Sequence, residues 1–284
     1  MKTNLRISAY GCHSEYYFRT MRLTGRIMKM KSKLADKVIY HLPVENELVP
    51  MNELVGKNIS LTFQNEIYCT NCGKKTNKSF QGFCWNCFST SAENSECILR
   101  PELCRAHEGI GRNMEWEREH HLQEHFVYLA LSSEIKVGVT RSTQVPTRWI
   151  DQGASSVIRL AKVPYRYLAG AIEVEFKKHF TDKTNWQKML KGETKVGINL
   201  AEEKKKAKEF LSSDLKKYYS EDDSVTELNY PVIKYPLKVK SIDFEKQNIL
   251  TGKLQGIKGQ YLIMEDNSVL NIRKHEGYVI TIEY

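Results

Sequence analysis

The chain has 284 residues, enough for two or three compact units rather than one small core. Hydrophobic residues make up 41% and charged residues 27%, which excludes a disordered chain, and no stretch approaches the roughly 20 apolar residues of a membrane span. The formal net charge of +9 favours an anionic partner such as nucleic acid over an acidic or membrane-embedded role.

Residues 1–20 contain Tyr10, Cys12, Tyr16 and Tyr17 without a clear period and no apolar run of the signal-peptide kind. They are expected to be a poorly ordered extension upstream of Met21. From there Leu23, Ile27 and Met28 interleave with Arg22, Arg26, Lys29 and Lys31, as in a strand with a basic face. With further strands at 38–40 and 59–63, residues 21–65 read as an N-terminal β unit. A cysteine-rich module occupies 66–115. Residues 126–131 form an apolar strand, Ser132-Ser133 a turn, and 136–140 a second strand, so the pair predicts a hairpin. Pro146 opens a short helix that carries Arg148, since proline suits the first helical turn. A helix over 167–180 completes a core assigned to 120–198. Residues 199–227 are expected to be a charged, solvated helix over 200–219 followed by an acidic loop. Residues 228–284 read as a C-terminal β unit of short strands with turns near Gly256, Gly259 and Gly277. Those strands either curl into a small barrel or pair with the N-terminal unit. The fold class is α+β.

Four of the seven cysteines form two C-x-x-C pairs, Cys69 with Cys72 and Cys84 with Cys87. Two intervening residues let both sulfurs of a tight turn face one ion, and Gly73 and Asn86 suit left-handed turn positions. Two facing turns complete a zinc-ribbon-like tetrahedron of thiolates, with an iron–sulfur cluster as the alternative. Four thiolates leave no open coordination position, so the ion is structural. Such a pattern fits a reducing, cytoplasmic setting better than a disulfide framework. Cys97, Cys104 and His107 are candidates for a second zinc, with His120, His121 and His125 nearby and the fourth ligand unassigned. Two buried thiols beside a surface histidine is the alternative.

The sequence Phe126-Val127-Tyr128, then Lys136-Val137-Gly138-Val139-Thr140, then Arg148, then Glu175 and His179 resembles the GIY-YIG nuclease core, most closely its phage-type branch. The resemblance covers roughly residues 125–190. It implies two hairpin strands carrying the tripeptides, a helix carrying the arginine and a later helix carrying a metal-binding glutamate. Phe-Val-Tyr stands where the family has Gly-Ile-Tyr, and Lys136 occupies the second tyrosine position. Over its whole length the chain also resembles an uncharacterised prokaryotic group, domain of unknown function family 2797. Lys136 through Arg141, Pro146 through Ala154 and Asp182 through Trp186, with the cysteine pairs, carry that likeness.

Phosphodiester cleavage needs a divalent cation to polarise the phosphate, and Mg2+ or Mn2+ at Glu175, or at Glu173, would serve. Arg148 is placed to clamp phosphate oxygens bidentately. Tyr128 is the candidate to position or deprotonate water, with Lys136 lowering its pKa or binding phosphate and His179 sharing the proton. Arg159, Lys177, Lys178 and Lys183 form a basic surround for backbone phosphates. The expected function is a zinc-containing, metal-dependent nuclease on DNA or RNA. The alternatives are a nucleic-acid-binding protein with the same fold and no cleavage, and a zinc-stabilised scaffold for a protein partner.

Overall fold

The computed structural model describes residues 20–180, 185–193 and 197–284. The expected extension over residues 1–20 lies, but for Thr20, outside the described residues.

The chain opens with β1 (Arg22–Arg26), β2 (Lys31–Lys33), β3 (Ile39–Val44), β4 (Glu47–Pro50) and the long β5 (Asn58–Tyr68), which runs into the cysteine module. That module holds β6 (Lys75–Thr76) and α1 (Trp85–Thr90). A series of 3-10 turns leads to α2 (Met114–His120). The central unit runs β7 (His125–Leu131), β8 (Ile135–Arg141), α3 (Thr147–Asp151), β9 (Ser156–Val163) and α4 (Arg166–Phe176). Then come α5 (Trp186–Leu190), α6 (Leu200–Lys208), α7 (Ser213–Lys216) and β10 (Val225–Glu227). The tail is β11 (Lys240–Ile242), β12 (Ile249–Lys258), β13 (Tyr261–Met264), β14 (Ser268–Asn271) and β15 (Tyr278–Glu283).

The N- and C-terminal β segments form one sheet, ordered β1-β15-β5-β12-β13-β14-β11, with β6 added beside β5. Of the two arrangements open to the tail, pairing with the N-terminal segment is the one observed. Among the described residues no sheet closes into a barrel. The reason lies in β12, whose first half pairs with β5 and whose second half pairs with β13. Between Leu254 and Gly256 the register shifts, and such a bulge bends a strand and re-aims its partners. Gly256 lies inside this strand rather than in a turn, because Val232 crosses it: a Cβ there would sit 2.7 Å from Val232 Cα. The remaining small sheet has the order β2-β3-β4.

The central sheet is antiparallel, ordered β10-β9-β7-β8. Every residue of β7 is buried because both of its faces are covered. Val127 and Leu129 pack with Ile172 and Phe176 of α4 and with Leu200 and Ala207 of α6. Tyr128 and Ala130 join Trp149 and Ile150 in the core shared with the large sheet. Burying each such aliphatic side chain contributes roughly 1.5–3 kcal/mol. β9 is not evident from the sequence, since Arg159 and Lys162 interrupt its apolar run. In the fold, Arg159 lies over the Phe126 ring and pairs with Asp222, and Lys162 pairs with Glu124 at 2.7 Å.

Two helices depart from expectation. The one over 200–219 stops at Lys208 and restarts at Ser213. Its face is not wholly solvated either: Lys204 is fully buried, donating to Asp222 O at 2.7 Å and pairing with Asp223 at 2.9 Å. The one over 167–180 is α-helical only to Phe176, with turns carrying it on to Phe180. No helix among the described residues is long and apolar enough to cross a membrane.

Candidate functional site

The four-cysteine module is built from β5 and two turns. Cys69 follows the end of β5, and Gly73, at φ +69°, closes the first turn with its N–H donated to Cys69 O at 2.9 Å. Gln81 and Gly82 take the left-handed positions of the second turn; Asn86 does not, because it lies inside α1. Thr70 N donates to Gly82 O at 2.8 Å and locks the two turns together. Cys84 caps α1 and Cys87 sits in its first turn. All four sulfurs lie within 4.8 Å of one another, with Cys72 and Cys84 at 3.9 Å. Zinc–sulfur bonds of about 2.3 Å at tetrahedral angles put sulfurs about 3.8 Å apart. The cluster therefore fits one metal ion such as zinc.

A second cluster forms beyond it. Cys97 and Cys104 do come together, but with Glu117 and His121 rather than with His107. The His107 ring is instead stacked between Tyr165 and Tyr167, at 5.1 and 4.8 Å. Glu117 and His121 are four residues apart at the end of α2, so they share a helix face. Asn113 starts that helix by accepting hydrogen bonds from Glu115 N and Trp116 N.

A cleft of about 1350 Å³ opens where all these units meet. The cysteine module contributes Lys78 and Phe83, the central unit Lys136, Gly138, Arg141, Arg148, Gln152, Arg166 and Glu173, and the tail Arg273 and Lys274. Nine lysines and arginines against five carboxylates line it, so its field favours an anion.

Lys136 and Gly138 alternate along one face of β8. Lys136 is only 4% exposed, and burial together with the Arg148 charge brings its amine down to about 7. Tyr128 lies beneath this floor, fully buried, with its hydroxyl donating to Gln152 Oε1 at 2.9 Å. Burial pushes its phenol up, against the opposing effect of the Arg148 guanidinium. The expected proton-handling hydroxyl is thus buried beneath the cleft and committed to Gln152 rather than exposed on its surface.

On α4, Glu173 lines the cleft and Glu175 does not. Residues two apart on a helix point about 200° from each other. Glu175 turns to the other side and accepts from Ser212 N at 3.1 Å. His179 is there too, stacked on Phe210 at 3.6 Å. Glu173 is 8% exposed, and burial raises its carboxyl pKa. Its Oε2 accepts no hydrogen bond among the described residues, with Lys177 Nζ at 3.2 Å as an ion-pair partner.

The basic surround is distributed differently from expectation. Arg159 is engaged by Asp222 and Lys177 by Glu173, while Lys178 is exposed away from the cleft lining. Lys183 lies outside the described residues. Of the four, only Lys177 lines the cleft among the described residues, and distant segments add Lys29, Lys78, Arg141, Arg273 and Lys274.

Fold and site together define a mixed α+β protein with a four-cysteine cluster that could hold a metal ion, set against a basic cleft. Residues 56–280 match the family described as Protein of unknown function (DUF2797), and the chain belongs to that family. No curated protein and no solved structure shows significant similarity to it.

Proposed function

We propose that this chain is a zinc-containing, GIY-YIG-like nuclease that hydrolyses phosphodiester bonds of DNA or RNA. The observation that carries the reading is the meeting of Lys136, Arg148 and the buried carboxylate of Glu173 in one basic cleft. A divalent cation such as Mg2+ or Mn2+, held by Glu173, would polarise the phosphate and offset its developing charge. Arg148 binds the phosphate oxygens and matches the transition-state charge. Lys136, whose amine burial and the Arg148 charge bring down to about 7, accepts the proton of the attacking water. The water oxygen bonds to phosphorus, the bond to the leaving oxygen breaks, that oxygen takes a proton from solvent, and the fragments end in phosphate and hydroxyl. The Tyr128 hydroxyl, bonded to Gln152 and close to the Arg148 guanidinium, braces the floor of the cleft. Beside the cleft, exposed Trp85 stacks on Phe88 and meets Phe80 edge-on, and Lys78 sits over Phe80. Such rings suit the stacking of unpaired bases.

The Glu173–Lys177 ion pair favours a second reading, a protein that binds nucleic acid without cutting it, because the carboxylate then keeps a lysine as its cation. Incubation with single- and double-stranded DNA and RNA, with and without Mn2+, separates the two. Metal-dependent products that vanish in Glu173→Gln support the nuclease; binding without products at any metal supports the second reading.

A further inference from the structure

The geometry points to a second, closed tetrahedral zinc site formed by Cys97, Cys104, Glu117 and His121, which fastens the wall of the cleft that carries Glu173. The donor set is two thiolates, one imidazole nitrogen and one carboxylate oxygen, a combination zinc accepts. All four donor atoms lie within 4.8 Å of one another. His121 Nδ1 stands 3.6 Å from Cys104 Sγ and 3.9 Å from Cys97 Sγ. Zinc bonds of about 2.3 Å to sulfur and 2.0–2.1 Å to nitrogen, at tetrahedral angles, separate those atoms by about 3.5–3.6 Å. Each of the four residues is at least nine-tenths buried, and Glu117 Oε2 faces His121 Nδ1 with no other partner among the described residues.

Charge balance agrees. Two thiolates and a carboxylate exceed a divalent cation by one negative charge. The Arg166 guanidinium supplies the compensating positive charge, donating to Cys97 O at 2.9 and 3.0 Å and to Ile98 O at 2.9 Å. Packing agrees as well. The buried apolar cluster here consists of Cys97, Cys104 and Ala106, with Leu122 packed against it. So small a core does not hold a run of 3-10 turns by itself, and metal ligation supplies the missing folding free energy in such modules.

The site has a consequence for the cleft. Arg166 opens α4, and its N–H donates to His121 O at 2.9 Å. One turn on, Gly170 lies so close to the Pro101–Glu102 backbone that a Cβ would stand 2.1 Å from Glu102 N. The helix that presents Glu173 is thus seated on the segments that carry the four ligands.

Elemental analysis of the full chain should give about two zinc ions per molecule, falling to about one in Cys104→Ser and in His121→Ala. One zinc in the wild type, or two in both variants, would overturn the assignment. Should the variants fail to fold, thiol titration of the native wild type decides. Six of the seven cysteines belong to the two clusters. No more than one thiol should react before a strong chelator is added, and the rest after it. Three reactive thiols without chelator, or a Cys97–Cys104 disulfide in freshly purified protein, would refute a metal there.

Discussion

Glu173 and Glu175 stand two residues apart on α4 and serve opposite sides of the molecule. Glu173 faces the cleft with Lys177 Nζ 3.2 Å from its Oε2, and Glu175 accepts from Ser212 N at 3.1 Å. Mn2+ binding in the cleft should therefore be lost in Glu173→Gln and retained in Glu175→Gln, as read by titration calorimetry on the zinc-loaded protein. Glu175→Ala should instead cost about 1 kcal/mol of stability through the lost contact at the start of α7.

Gly138 faces Tyr128 across the hairpin, and a Cβ there would stand 2.7 Å from both Cζ and the hydroxyl oxygen of the ring. Gly138→Ala should destabilise the protein by roughly 1–3 kcal/mol, as overpacking does. Tyr128→Phe should not rescue it, since the ring remains, whereas Tyr128→Leu should recover part of the loss. Urea melts of the single and double variants measure the coupling. Tyr128→Phe alone should cost about 1 kcal/mol, from the bond to Gln152, with only a modest effect on rate.

Lys136 gives the cleft a pH dependence. If its neutral amine takes the proton, the cleavage rate should rise as pH passes about 7 and then level off, and Lys136→Met should lose that limb. The stability sign follows from the same group. Its folded pKa lies below the unfolded 10.5, so between about 7 and 10.5 the unfolded chain binds more protons. Stability therefore rises with pH across that window, relative to Lys136→Met. Burial lowers the pKa of Lys258 to about 8 as well, and it contributes equally to both proteins, so only the difference between the two melting curves is diagnostic.

Cys72→Ser should remove one metal ion per chain and raise amide exchange over residues 66–90, because the two turns that form the module are joined chiefly through the ligands and the Thr70–Gly82 contact. The neighbouring β5–β15 ladder should keep its protection, since the hydrogen bonds of that pairing do not involve the ion.

Much of this was legible because it is local. The pairs Cys69–Cys72 and Cys84–Cys87 announce themselves by spacing, and the hairpin from 126 to 140 by its apolar runs. Other features depend on where distant segments meet. His121 and Glu117, not His107, reach Cys97 because α2 folds back over 3-10 turns whose paths carry no periodic signal. The i,i+4 spacing of Glu117 and His121 was the available cue. Pairing of β15 with β5 brings Arg273 and Lys274 to a cleft whose floor lies in β8, more than a hundred residues earlier. Glu173 and Glu175 were separable only by the face of α4 that the apolar residues Ala169, Ile172 and Phe176 turn inward.

The most direct test compares wild type, Glu173→Gln and Glu175→Gln on one end-labelled single-stranded substrate at equal Mn2+ concentration. Wild type and Glu175→Gln should cleave in a metal-dependent way, with a loss of about 100-fold or more in Glu173→Gln and binding retained. Cleavage that survives Glu173→Gln but fails in Glu175→Gln, or no cleavage by any of the three, would contradict the proposed function.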